Sequence, residues 1–270
     1  MQSGKDYNLF LRMKKTFLNL LMVLSMGYFA TSCVSEEKDS VLGNGVGTLS
    51  LSVTSDTKFQ SRAVNESEYE NTQEYTVQII GKESSDIKKE FLYKEAPEKI
   101  ELENGSYYLK AFYGEESNAS QDKFYVEGIS SFNIDGNDTS VSVTCAPTCA
   151  KVIASFASDM SEYFSDYSVM YTTKALKAES QTVLWTKDNK NPWYLKVDNS
   201  GEDVEAVINF TRKSDGKSSS VTKTYNMAPG KAWTLNVKPS VENGNLGISI
   251  TINESTEDEV IDIIVPSDWI

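Results

Sequence analysis

Histidine is absent from all 270 positions of the chain. That excludes Ser-His-Asp and Cys-His nucleophilic catalysis, removes the commonest general base, and takes away the usual ligands of catalytic zinc. Carboxylate pairs stay open as acid–base chemistry, but they need a deep cleft that no local motif announces. The sequence therefore reads as non-enzymatic, with no cofactor and no metal site. Positive charge is scarce too: 26 Lys and Arg stand against 39 Asp and Glu, a formal net charge of −13. A surface of that sign repels phosphate backbones and argues against nucleic acid as a partner. Cysteine is limited to three residues. Two of them, Cys145 and Cys149, sit in VTCAPTCAKV. If Cys145 ends one strand and Cys149 begins the next, a disulfide across the Ala-Pro-Thr turn is geometrically open. So small a loop would gain little from chain entropy. The other reading is two small half-buried residues near a junction.

The N-terminus is the most informative stretch. Lys14 and Lys15 precede an apolar run of 13 residues, 17–29, broken only by Asn19, Ser25 and Gly27; small residues then lead to Cys33. A membrane-spanning helix needs roughly 20 apolar residues, so the run fits a cleaved secretion signal. Met13 is the expected start, because residues 1–12 add polar positions that such a signal does not need. The segment resembles a bacterial lipoprotein signal, which implies cleavage before Cys33 and lipidation of that residue. Removing 1–32 leaves 238 residues. It also removes four basic and one acidic residue, so the remainder carries 22 against 38, a net of −16.

Immediately after Cys33 come Ser35, Glu36, Glu37, Lys38 and Asp39. Such a run is either a solvated tether or, because it resembles the acidic export signal of surface lipoproteins in anaerobic gut Gram-negatives, an address to the outer leaflet. Asp39-Ser40-Val41 resembles an O-glycosylation triplet of the same bacteria.

Beyond a Gly-rich spacer, 43–47, the pattern becomes strands separated by polar turns. Residues 48–53 alternate strictly, as a strand with one buried face must. A polar loop over 54–74 holds Arg62 and Ala63. Strands are expected at 75–80, 92–93, 99–102, 106–113, 123–126, 129–134 and 139–145. Asn104-Gly105 supplies the positive φ of a tight turn. Residues 135–138 place oxygen atoms close together but lack the spacing and distal Glu of a calcium loop, so they read as a hairpin turn.

A second set opens at 150–156, followed by a helical turn over 158–164 with Ser158 or Asp159 as cap and Glu162 at near capping-box spacing. Strands follow at 167–172, 181–185, 193–197 and 204–211. A hairpin joins 219–225 to 232–237 through Pro229-Gly230, and strands at 246–253 and 260–265 bracket an acidic loop, 254–259. Glu254, Asp258 and Glu259 read as solvated charge. This density of short strands is that of β-sandwiches. The expected fold is all-β: two tandem antiparallel β-sandwich domains, 47–146 and 147–270, after a signal, 1–32, and a lipidated linker, 33–46.

Glu103-Asn104-Gly105-Ser106-Tyr107-Tyr108-Leu109-Lys110-Ala111-Phe112-Tyr113-Gly114 resembles the turn-and-strand motif of transthyretin-like sandwiches. Taken with the anchor, the first strand, Arg62-Ala63 and the second opening at Ala150-Lys151-Val152, the order resembles lipoproteins of the domain of unknown function family 4493. It is more distantly similar to fimbrillin-like surface proteins of the FimA/Mfa type. The resemblance implies a non-catalytic, lipid-anchored outer-membrane protein, exposed at the surface, with a structural or adhesive role. It also implies that an arginine-directed protease cuts after Arg62, so that a neighbouring subunit's strand fills the groove left by the first strand; the alternative is an ordinary loop arginine. Partners would be the membrane, through the lipid, and other fimbrial subunits. The second functional reading is a glycan-binding lipoprotein of a polysaccharide-capture system. It would use Trp185, Trp193 and Tyr194 if they share an exposed face; otherwise they are core.

Overall fold

Alternation builds the first strand as expected. The computed structural model describes residues 45–57, 59, 66–189, 191–242, 245–254 and 257–261. Cys33, Ser35, Glu36, Glu37, Asp39, Arg62 and Ala63 lie outside the described residues. Residues 48–53 fall within β1 (Val46–Ser55), which buries Leu49 and Val53 and exposes Ser52 and Thr54. The chain continues through β2 (Thr76–Gly81), β3 (Ile87–Leu92), β4 (Ile100–Glu103) and β5 (Gly105–Gly114). Next come the two-residue β6 (Ala119–Ser120), then β7 (Tyr125–Ile134) and β8 (Asp138–Pro147). All but β6 form a seven-stranded sheet in the order β3-β2-β5-β7-β8-β1-β4.

The second half runs through β9 (Cys149–Phe156), β10 (Phe164–Thr172), β11 (Val183–Thr186) and β12 (Trp193–Lys196). It ends with β13 (Glu202–Arg212), β14 (Ser218–Met227), β15 (Ala232–Glu242), β16 (Asn245–Glu254) and β17 (Glu257–Ile261). A four-stranded sheet has the order β11-β10-β13-β14, and a six-stranded sheet the order β17-β16-β15-β9-β12-β6. The described residues are thus mostly β, with three sheets and a few short helices. Among the described residues no helix is long and apolar enough to cross a membrane.

Two buried clusters lie against these sheets. One includes Leu49, Val77, Leu109, Val126 and Ile134; the other includes Val152, Val169, Trp185, Ile208 and Ile250. In β5 the faces divide as the alternation requires, with Tyr107, Leu109 and Ala111 buried and Tyr108, Lys110 and Phe112 partly exposed. The 135–138 turn also stands as read, with Gly136 at φ +89°.

Four expectations need correction. The four-stranded sheet is antiparallel as expected, but the other two are mixed: β1 runs parallel to β8 from Thr48↔Asp138 to Ser55↔Cys145, and β15 runs parallel to β9. Parallel neighbours are joined by long excursions, which leave no local signature. Asn104-Gly105 is no hairpin turn. Its flanking strands pair elsewhere, β4 with β1 and β5 with β2 and β7, and Gly105 has no positive φ. Pro229-Gly230 is no hairpin turn either: it carries the chain between sheets, since β14 pairs with β13 while β15 pairs with β9 and β16. The true hairpin in that region is β13–β14, turning at Gly216 with φ +70°. Finally, the helix Met160–Tyr163 has Asp159 at its N-cap without a side-chain capping bond, so no capping box forms.

Gly114 ends β5 at φ +89°, and a Cβ there would lie 2.0 Å from the Phe124 carbonyl oxygen. Both the dihedral and the contact exclude a side chain. Gly114→Ala is expected to cost about 2–4 kcal/mol of stability, measured as a fall in the urea midpoint. An unchanged midpoint would refute this close approach of the two backbones.

Candidate functional site

Cys145 and Cys149 form no disulfide. Cys145 points into the core under β5, where its thiol donates to the Ala111 carbonyl oxygen at 3.3 Å. Both cysteines are buried in the first cluster. Burial, aided by the negative charge of Glu127, pushes the Cys145 thiol up to about 12. A reactive cysteine needs the reverse environment, electropositive and accessible.

The halves of the chain meet in an aromatic junction. Tyr194 of β12 packs against Phe124 and Phe59, with ring centroids 4.8 and 5.5 Å away. Lys151 of β9 is fully buried, its ammonium 5.6 Å from the Phe59 ring centre. Tyr69 stacks on Phe124 at 3.7 Å, and its hydroxyl accepts the Phe124 backbone N–H at 3.1 Å. The Tyr75 hydroxyl donates to the Tyr69 carbonyl at 2.6 Å. The chain on the C-terminal side of Arg62 is therefore anchored by Tyr69.

The three aromatic residues singled out for glycan contact do not share a face. Trp185 and Tyr194 are 1% and 2% exposed and belong to different clusters. Trp193, half-buried at the start of β12, lines a cavity of about 640 Å³, while Tyr194 lines a separate one of about 10 Å³. Trp185 on β11 and Trp193 on β12 lie in separate sheets, which is why closeness in sequence misleads.

Three pieces frame that cavity. Residues 116–119 form one wall, held where β6 pairs with β12 (Tyr194↔Ser120, Leu195↔Ala119). The Lys196 N–H donates to the Asn118 carbonyl at 3.0 Å, and the Lys196 ammonium pairs with the Glu116 carboxylate, which holds that acid below the usual carboxylate range. The helix Lys174–Ala178 and the loop after it form the opposite wall, with Leu176, Glu179, Gln181 and Thr182. Thr173 caps the helix by accepting the Leu176 N–H at 3.2 Å. Glu202, buried on β13, accepts the Lys174 N–H at 2.7 Å and the Asp198 N–H at 3.0 Å. Gln121 donates to the Asn189 side chain and the Asn191 carbonyl at 3.0 and 3.2 Å, fixing the approach to Trp193. Sequence reading missed Asn118, Glu179, Gln181 and Thr182. They are loop residues, and only the pairing of β6 with β12 brings one wall to the other. Among the described residues no three His, Cys, Asp or Glu side chains gather to hold a metal ion.

The sequence profile of DUF4493, a domain of unknown function, matches residues 45–267. The chain belongs to the DUF4493 family. No curated protein matches this DUF4493 chain. Its fold is similar to that of a candidate adhesin from Bacteroides ovatus at 10% identity and a TM-score of 0.43, with 81% of this chain and 95% of that one covered. A fimbrial assembly protein from Parabacteroides distasonis overlaps at 12% identity and a TM-score of 0.39, covering 82% and 99%. A candidate polysaccharide-binding protein from Bacteroides thetaiotaomicron does so at 11% and 0.41, covering 81% and 98%.

Two predictions follow from these buried groups. The Cys145 thiol is raised in the folded state, so its contribution to stability is complete below the ordinary thiol range and is lost as pH rises toward about 12. Burial also raises Tyr75, Tyr125, Tyr171 and Tyr225, so the urea midpoint should fall progressively above pH 9. A midpoint flat to pH 11 would contradict this assignment. Glu202→Ala leaves two backbone N–H groups without their acceptor and should cost about 2–4 kcal/mol, again read from urea denaturation; a neutral effect would show that water replaces the carboxylate.

Proposed function

We propose that the protein is a non-catalytic lipoprotein of the cell surface, tethered to the outer membrane through Cys33, with a fimbrillin-like structural or adhesive role. On this reading the three sheets compose two tandem β-sandwich domains of the Ig-like or transthyretin-like kind, 47–146 and 147–270. Ser35, Glu36, Glu37 and Asp39 would form the export address, and Arg62-Ala63 the maturation site.

The observation that carries the reading is the placement of β1. It sits between β8 and β4, with eight register positions along the first and four along the second. It inserts Leu49 and Val53 into the core. A strand so placed, joined covalently to the rest only through the segment containing Arg62, can be exchanged for an equivalent segment that also replaces Phe59 in the aromatic junction, without altering any other strand pairing. Its loss would open two unpaired edges and an apolar groove, which an extended strand from another copy satisfies through backbone hydrogen bonds and alternate side chains. The lipoprotein-like signal, the acidic run and the absence of histidine support the same reading.

Immunoblotting of unheated membrane extract, with N-terminal sequencing of the mature band, tests it. A ladder and a new N-terminus at Ala63 are expected, and Arg62→Ala should abolish both. A single band that keeps a modified Cys33, unchanged in the variant, would rule out the maturation step.

A further inference from the structure

We propose that the cavity beside Trp193 is a binding site for a neutral saccharide of about two sugar units, a volume within the few hundred to a thousand Å³ of small-ligand sites. The inference relies on the surface reading above only for where such a ligand is met. The half-buried Trp193 supplies a flat apolar wall, backed by the buried side chains of Leu176 and Val183. The C–H face of a pyranose ring is the complementary shape, apolar and nearly planar, and aromatic faces carry a partial negative charge that attracts such edges.

Polar groups complete the site. Glu179, Gln181 and Thr182 are exposed on one side and Asn118 is half-exposed on the other. Together they offer carboxylate acceptors, amide donors and acceptors, and a hydroxyl. Sugar hydroxyls both donate and accept, so they match this mixture better than a purely apolar side chain or a point charge does.

Charge decides between neutral and acidic sugars. Glu116 is neutralised by Lys196, the one cation lining the cavity among the described residues. Glu179 has no ion-pair partner among the described residues. A uronate or a phosphorylated sugar would therefore meet an uncompensated carboxylate on a chain already at −13. A neutral ring meets an acceptor instead. Both walls are fixed before binding, one by the β6–β12 pairing and the other by the capped helix resting on Glu202. Such preorganisation limits the ordering cost of capturing a ligand.

The test is calorimetric titration of the full chain, extracted in a sugar-free detergent. The probes are neutral disaccharides of gluco, galacto, manno and xylo configuration, with digalacturonate as the acidic one. At least one neutral disaccharide should bind saturably at one site per chain, and digalacturonate should bind at least about tenfold more weakly. Replacing the half-buried Trp193 risks the fold, so the deciding variant is Glu179→Ala combined with Gln181→Ala, two exposed positions. It should weaken binding by about tenfold or more, and Trp193→Phe should retain part of the affinity. No neutral disaccharide binding, preference for digalacturonate, or parental affinity in the double variant would each overturn the site. The unheated immunoblot of the double variant should match the parent, which separates failure of this site from failure of the subunit reading.

Discussion

The burial of Lys151 is the constraint on which the arrangement of the two halves depends. An ammonium removed from water is tolerated only where other groups replace its hydration, and here the Phe59 ring is one of its neighbours. Phe59 comes from the stretch after β1, Phe124 from the approach to β7, and Tyr194 from β12. Hinging the halves apart would wet the lysine, separate three rings and break the β6–β12 pairing in one motion. The junction therefore opens as a whole or stays shut, and the cavity, whose walls come from both sides of it, keeps its width.

Within the first sheet the division of labour is different. Tyr69 and Tyr75 spend their hydroxyls on backbone groups, holding the turns that precede β2 against Phe124. β1 has as its partners two strands remote in sequence: β8, which also pairs with β7, and the edge strand β4, which pairs with β1 alone.

Sequence reading succeeded where the relevant physics is local. The alternation in 48–53 and 106–113 reports a half-buried strand whatever its partners are, and Asp135-Gly136 reports a turn because only glycine takes that dihedral cheaply. It failed where partner choice mattered. Asn104-Gly105 and Pro229-Gly230 look like hairpin turns, yet the first hands the chain to a distant position in the same sheet and the second hands it to another sheet, decisions made by β1, β9 and β16 far away in the sequence. Of the aromatic trio, Trp185 and Tyr194 were claimed by opposite cores. Trp193 alone was left at a surface, and nothing within ten residues of it distinguishes the three. The helix Lys174–Ala178, with its Thr173 cap, was legible in principle: a threonine followed by Lys-Ala-Leu-Lys-Ala is a fair start signal. The strands on either side dominate the pattern and mask it.

The parallel alignment of β1 with β8 has a mechanical meaning. A pull on the chain ahead of Val46 runs along β1, while the chain beyond Pro147 holds β8 from its far end. The two strands are then loaded in shear, and the hydrogen bonds along eight register positions share the force at once. An antiparallel hairpin pulled from its open end would instead give way rung by rung. The geometry that keeps the first strand in place thus resists tension applied at the N-terminal side of β1 far better than its modest length suggests.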